Sequence, residues 1–349
     1  MAQLLSDGFD VYNGVGTNTG LQASWTLSST TNISMVSGRF GGQAVQYRFG
    51  SSSAYAARTF TASASIGIGY ALRMATMPGA SPTDPEYMHV NLMSGATYMI
   101  GIKITAAGEI QVYRMSGTFG GTSLGTSSVC IFSATWHYIE VGISIHDTTG
   151  TVTVKCDGST VLTLTGQDTR NGAPTTVDTI RLGDLYGLAF TDGGIYQVDD
   201  LYIIDSATTL GEAKIETTYP SSDIAQGWTR SAGSDNYALV DEAQVDGDTT
   251  YVQGSAVSDV DTYEFGNLSG TPSTIHSVKV IAFGRKTDAG TREIALQVKS
   301  GATTSDGANY PIAASYGKME RLLEVDPDTG VPWTASGVTA LRAGPKVTV

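Results

Sequence analysis

The chain has 349 residues, with 33 acidic side chains against 20 Lys and Arg, for a formal net charge of −13. That balance repels phosphate backbones and anionic bilayers, so it argues against nucleic-acid partners and against binding to membrane surfaces. Only 15% of the residues are charged, against roughly 25% in an average soluble domain; Gly, Ser and Thr fill the gap, a mixture that suits short strands and tight turns better than helices.

At roughly 100–200 residues per domain, the length predicts two domains. The opening Met-Ala-Gln-Leu-Leu-Ser-Asp-Gly-Phe-Asp lacks the basic and apolar regions of a secretory signal. No run approaches the ~18 apolar residues of a membrane span. The expectation is a chain made in a cytoplasm, without membrane insertion, that leaves a cell only by another route, such as inside a particle.

In chain order, strands are expected at 43–49, 65–74, 87–93, 98–104 and 109–114, separated by Gly, Pro and Asp clusters. The glycine-rich run Gly117 to Gly125 lacks the Lys-Ser/Thr ending of a phosphate loop and reads as a loop between strands. Segment 136–146 alternates. His137, Ile139, Val141, Ile143 and Ile145 share one face; Trp136, Tyr138, Glu140, Gly142 and Ser144 share the other. Segment 151–156 follows, then Asp157-Gly158, a hairpin turn that needs positive φ, then a returning strand at 161–165. Strands at 179–182 and 195–205 complete a first domain, placed at 1–207. In a second domain, 208–349, strands are expected at 237–240, 250–252, 262–265, 277–283 and 293–299. The one helix-like stretch is 316–323, and the tail from Asp326 is rich in Pro and Gly.

Three segments of the first domain, Trp136-His137-Tyr138-Ile139-Glu140-Val141, Gly150 to Gly158, and Val198-Asp199-Asp200-Leu201-Tyr202-Ile203-Ile204-Asp205, resemble the concanavalin A-like, or laminin-G-like, jelly roll. The opening Gly8-Phe9-Asp10-Val11-Tyr12 and the run Gly38 to Gln43 resemble jelly rolls of tailed-bacteriophage virion proteins. Gly227-Trp228-Thr229, Tyr237 to Glu242, Asp246 to Val252, and Asp326 to Gly330 with Trp333 resemble a module that follows such domains in phage tail-region proteins. The fold class expected is therefore all-β: a jelly-roll sandwich followed by a smaller β-sandwich.

The chemistry of known sites is sparse. The Glu-x-Asp-x-Glu of jelly-roll glucanases, which period two would place on one strand face, is absent. Glu324-Val325-Asp326-Pro327-Asp328 comes nearest, but its proline makes it a turn. Asp199 and Asp200 are strand neighbours and should point to opposite faces. Asp241, Glu242, Asp246 and Asp248 gather four carboxylates that would suit Ca²⁺, though the EF-hand pattern is not met. Otherwise no cofactor is expected. None of His89, His137, His146 and His276 has metal spacing, and His137 reads as a satisfied, partly buried side chain. Cys130 and Cys156 read as buried small apolar side chains, with a bridge left open.

The function expected from the resemblance is structural and not enzymatic. The chain would be a tail, baseplate, neck, fibre or capsid-decoration part of a virion, contacting other virion proteins and forming homo-oligomers, trimers among them. A lectin-like adhesin binding a host-surface glycan through its 17 Tyr and 4 Trp is the alternative. A polysaccharide depolymerase is disfavoured by the missing carboxylate pair.

Overall fold

A computed structural model describes residues 1–12, 20–48, 54–78, 88–117, 120–183 and 194–349. It is all-β and divides into two compact units, Met1–Ile215 and Glu216–Val349. Among the described residues no helix is long and apolar enough to cross a membrane. Phe49 and Tyr87, at the ends of two expected strands, and 118–119 within the glycine-rich run lie outside the described residues.

The strands of the first unit are β1 (Gln3–Asp7), β2 (Thr26–Leu27), β3 (Ile33–Ser37), β4 (Gln43–Arg48), β5 (Tyr55–Ser63), β6 (Ser65–Thr76), β7 (Val90–Ser94), β8 (Thr97–Ile104), β9 (Glu109–Met115), β10 (Gly121–Val129), β11 (Trp136–Ser144), β12 (Gly150–Cys156), β13 (Ser159–Gln167), β14 (Val177–Gly183) and β15 (Ile195–Ile204). They build a sandwich of two antiparallel sheets. One runs β13-β12-β11-β6-β15-β4-β3, with β1 against β15. The other runs β10-β9-β8-β7-β14-β5-β2. The inner faces meet in one core, where Ile139, Val141 and Ile143 of β11 join Ile68, Tyr70 and Leu72 of β6 and Val90, Ile102 and Leu182 of the facing sheet. Burying such side chains contributes about 1.5–3 kcal/mol each. Gly121 to Gly125, expected in a loop, belong to β10, which pairs with β9.

Two local devices fix this unit. Asp7, at the end of β1, is buried and accepts four hydrogen bonds: from Phe9 N (3.0 Å), Tyr12 OH (2.6 Å), Trp25 Nε1 (2.9 Å) and Arg58 Nη1 (3.1 Å). At the β12–β13 hairpin Asp157 has φ 49° and Gly158 φ 75°, the paired positive values of a tight two-residue turn.

The unit extends past the boundary expected at residue 207, because the segment 206–215 lies on the outer face of β11 and β15. Leu210 and Ala213 pack on Trp136, Tyr138, Tyr202 and Ile204. Gly211 N donates to the buried Glu140 (2.8 Å), Leu210 N to Tyr202 OH (2.9 Å) and Ile215 N to Asp200 Oδ1 (2.7 Å). Gly142 is required there: a Cβ would stand 1.9 Å from the Ala207 carbonyl oxygen.

The strands of the second unit are β16 (Pro220–Gln226), β17 (Thr229–Arg230), β18 (Val252–Gln253), β19 (Asp261–Phe265), β20 (Val278–Gly284), β21 (Glu293–Ser300), β22 (Thr303–Pro311), β23 (Gly317–Leu323) and β24 (Arg342–Val347), with one helical turn, α1 (Ala335–Thr339). A five-stranded sheet, β16-β19-β24-β21-β22, is joined by the ladders β17-β18 and β20-β23. Val280, Met319 and Leu323 of β20-β23 pack with Leu296, Val298, Ala343 and Trp333. The helix-like stretch is thus strand β23: Met319 and Leu323 recur with even spacing and reach the core. The expected strand 237–240 is instead a 3-10 turn, Tyr237–Leu239. Asp223 accepts the amides of Asn236 (2.9 Å) and Tyr237 (2.7 Å) there, which draws the backbone out of the extended form. Pro327 to Thr329 form the expected turn, closed by Asp328 N to Asp326 Oδ1 (2.9 Å).

Candidate functional site

The four carboxylates proposed for Ca²⁺ do not close into one group, although Glu242 and Asp246 share a partner. Asp248 lies against Arg285, with Oδ1 3.0 Å from Nε and Oδ2 2.8 Å from Nη2, and it accepts the Tyr316 hydroxyl at 2.8 Å. These donors hold its carboxyl below the usual range. Glu242 and Asp246 each lie 2.7 Å from the Thr250 hydroxyl, and Asp241 is exposed. Among the described residues the one three-ligand group is His137, Cys156 and Asp157.

Asp199 and Asp200 depart from the expected opposition. Asp200 has φ 49° and the β15–β6 register shifts between Asp199 and Tyr202, so strict alternation fails there. Both carboxylates converge on Arg39. Asp199 Oδ2 accepts its backbone N–H (2.8 Å), and Asp200 Oδ2 lies 3.7 Å from Nη1. Burial, with Asp200 beside it, pushes the Asp199 carboxyl upward, and burial raises Asp200 as well. This knot joins the Gly38 to Gln43 loop to β15.

His89 is a core residue. It is fully buried, 2.7 Å from the Tyr70 hydroxyl, and burial pushes its pKa down to about 3. His146 lies half-exposed in a turn, where Nδ1 accepts from Thr148 N (3.1 Å) and Thr149 N (3.0 Å).

The most distinctive surface is the outer face of the seven-stranded sheet. One register row crosses every strand: Thr26, Ala57, Arg181, Asn91, Gly101, Tyr113 and Ser123. Its neighbours Leu27, Ala56, Leu182, Val90, Ile102 and Val112 lie on the core side. The flanking rows hold Thr59, Thr179, Met93 and Tyr98 on one side, and Tyr55, Gly183, Lys103, Gln111 and Thr126 on the other. These three rows contain Arg181 and Lys103 and no carboxylate, in a chain of net charge −13.

Arg181 is the centre of this face. It donates through Nη1 to the Tyr98 hydroxyl, and its guanidinium lies 4.1 Å from the Tyr55 ring and 5.1 Å from the Tyr98 ring. Such contacts contribute about 0.5–2 kcal/mol each and orient the fork. Asn91, Met93, Tyr98 and Tyr113 are buried, whereas Thr26 and Thr59 are exposed. Beside Arg181 a cleft of about 340 Å³ is lined by Ser24, Thr26, Ala57, Arg58, Thr59 and Thr179. Apart from Arg58, which is paired with Asp7 at 3.1 Å, the lining offers small side chains and hydroxyls.

Sequence reasoning missed this site. Alternation in 179–182 separates Thr179 and Arg181 from Ile180 and Leu182. Nothing in it tells that β14 lies between β5 and β7, which is what brings Tyr55 and Tyr98 to Arg181.

No protein-family model and no curated protein matches the chain. Among solved structures it is similar to the cellulose-induced protein Cip1 (14% identity, 60% of this chain and 100% of that one, TM-score 0.44). It is also similar to the alginate lyase Aly36B (13%, 61% and 98%, TM-score 0.40) and to an endo-β-1,4-glucuronan lyase from the fungus Trichoderma reesei (15%, 54% and 92%, TM-score 0.38). The expectations of a virion structural part and of a chain without catalysis are corrected here: the similar structures are an alginate lyase, a glucuronan lyase and a cellulose-induced protein. At such identities no reaction is carried over from them.

Proposed function

We propose that the chain acts on an acidic polysaccharide, bound on the outer face of the seven-stranded sheet. The observation that carries this reading is Arg181, held between Tyr55 and Tyr98 beside a hydroxyl-lined cleft, in three register rows that hold no carboxylate. A guanidinium fork matches a uronate carboxylate in two parallel hydrogen bonds. Threonine hydroxyls match sugar hydroxyls, and the Tyr55 ring offers an apolar face to a pyranose.

A second reading rests on the Arg181–Tyr98 contact. In β-elimination a cation stabilises the uronate carboxylate while a base removes the C5 proton, the C4–O bond breaks, a C4=C5 bond forms, and the leaving oxygen is protonated. Arg181 is a cation of this kind, and the buried Tyr98 hydroxyl positions it. The test is affinity electrophoresis and calorimetry with alginate, a glucuronan and a neutral β-glucan, alongside ultraviolet detection of unsaturated uronate ends. Retardation by the acidic polymers alone supports binding, and absorbance growth adds cleavage. Equal binding of the neutral glucan, or none of any polymer, overturns the proposal.

A further inference from the structure

Cys130 and Cys156 meet where the two sheets of the first unit come together. Cys130 directly follows β10, the edge strand of one sheet, and Cys156 ends β12 in the other. The Cys156 thiol lies 3.6 Å from the Cys130 carbonyl oxygen, which brings the two residues side by side. Both are free thiols; Cys130 is partly exposed and Cys156 is buried. Around them stand Ser127, whose hydroxyl is 4.0 Å from Cys130 Sγ, and Asp157, whose Oδ2 is 4.0 Å from Cys156 Sγ and 2.7 Å from His137 Nδ1.

A metal ion is one occupant this group suggests, and the histidine argues against it. A ligating imidazole donates its other N–H to an acceptor. Here His137 Nε2 accepts the Phe132 backbone N–H at 3.1 Å, so Nδ1 carries the proton toward Asp157 and has no lone pair to offer.

We propose that Cys130 and Cys156 are a redox-active dithiol that reacts with a small-molecule disulfide to form an inter-sheet bridge. Cys130, the accessible member, attacks one sulfur of the disulfide and expels one thiolate, forming a mixed disulfide. Cys156 then attacks the Cys130 sulfur, its proton passing to the second leaving thiolate. In sum, two protein thiols and one disulfide give one protein disulfide and two small thiols. The polarity follows from the surroundings. Cys130 is the accessible thiol, whereas Cys156 is buried with its S–H toward the Cys130 carbonyl oxygen, which keeps it protonated.

The test is thiol titration and intact-mass analysis of the native chain with oxidised glutathione. The result expected is loss of both titratable thiols, a mass lower by two hydrogens, no retained glutathione, and a higher thermal midpoint that dithiothreitol reverses. Cys156→Ala should stop at a stable glutathione adduct on Cys130, and Cys130→Ala should leave Cys156 unreactive until the chain unfolds. Circular dichroism establishes that each variant is folded. If a variant does not fold, the wild-type mass and midpoint decide alone. A stable adduct on the wild type, two unreactive thiols, or stoichiometric zinc that blocks both thiols overturns the proposal.

Discussion

Asp7 shows how one side chain can hold a chain terminus. Four donors converge on its buried carboxylate, including the Arg58 guanidinium and the Trp25 indole. Asp7→Ala removes the partner of a charge and of three polar hydrogens in the core and should cost about 3–5 kcal/mol, read as a lower urea midpoint. His89 sets a pH limit. Its folded pKa of about 3 lies below the ordinary 6.5, so the unfolded chain binds the extra proton. Stability from this group is present above pH 6.5 and falls as pH drops toward 3, by at most about 1.4 kcal/mol per pH unit. Asp199 acts in the opposite sense. Its carboxyl is raised to about 8, so its contribution is full below the ordinary 3.8 and is lost as pH rises to about 8. Urea titrations across pH should show His89→Gln flattening the acid limb and Asp199→Asn the alkaline one; unchanged slopes would refute these assignments. The Asp157-Gly158 turn was legible from two residues, because only a few residue types accept positive φ. The Asp199–Asp200 convergence was not, because the bulge that causes it depends on pairing with β6.

At the scale of elements, β11 carries the lesson. Its alternation predicts Ile139, Val141 and Ile143 in the core, and they are there. The same alternation predicts a solvent face for Tyr138, Glu140 and Gly142, but the segment 206–215 covers it. A fragment of residues 1–215 should therefore unfold cooperatively, whereas 1–207 exposes Tyr138, Tyr202 and Ile204 and strands Glu140. Loss of cooperativity in calorimetry of the shorter fragment alone is the outcome expected. Gly142→Ala should act similarly, since its methyl group meets the Ala207 carbonyl and must displace the covering segment; a thermal midpoint equal to that of the wild type would show otherwise.

On the scale of the molecule, an acidic chain sets Arg181 and Lys103 on three register rows of one sheet that hold no carboxylate. Arg181→Ala should weaken binding of an acidic polysaccharide about tenfold or more, roughly 1.4 kcal/mol, while leaving circular dichroism unchanged. Wild-type affinity should fall with salt, because contacts at Arg181 and Lys103 lie within the ~8 Å over which charge acts at physiological ionic strength. A salt dependence identical in wild type and Arg181→Ala would place the binding elsewhere.

The sequence by itself determined the all-β class, most strand positions in the first unit and the inner face of β11, since period two and turn chemistry are local properties. Tertiary structure alone decided where the first unit ends, that 316–323 is a strand, and that Arg181 lies between Tyr55 and Tyr98. Each of these depends on which distant strand lies alongside or on what covers a face. Such neighbours are set by the collapse of the whole chain, and local spacing does not encode them.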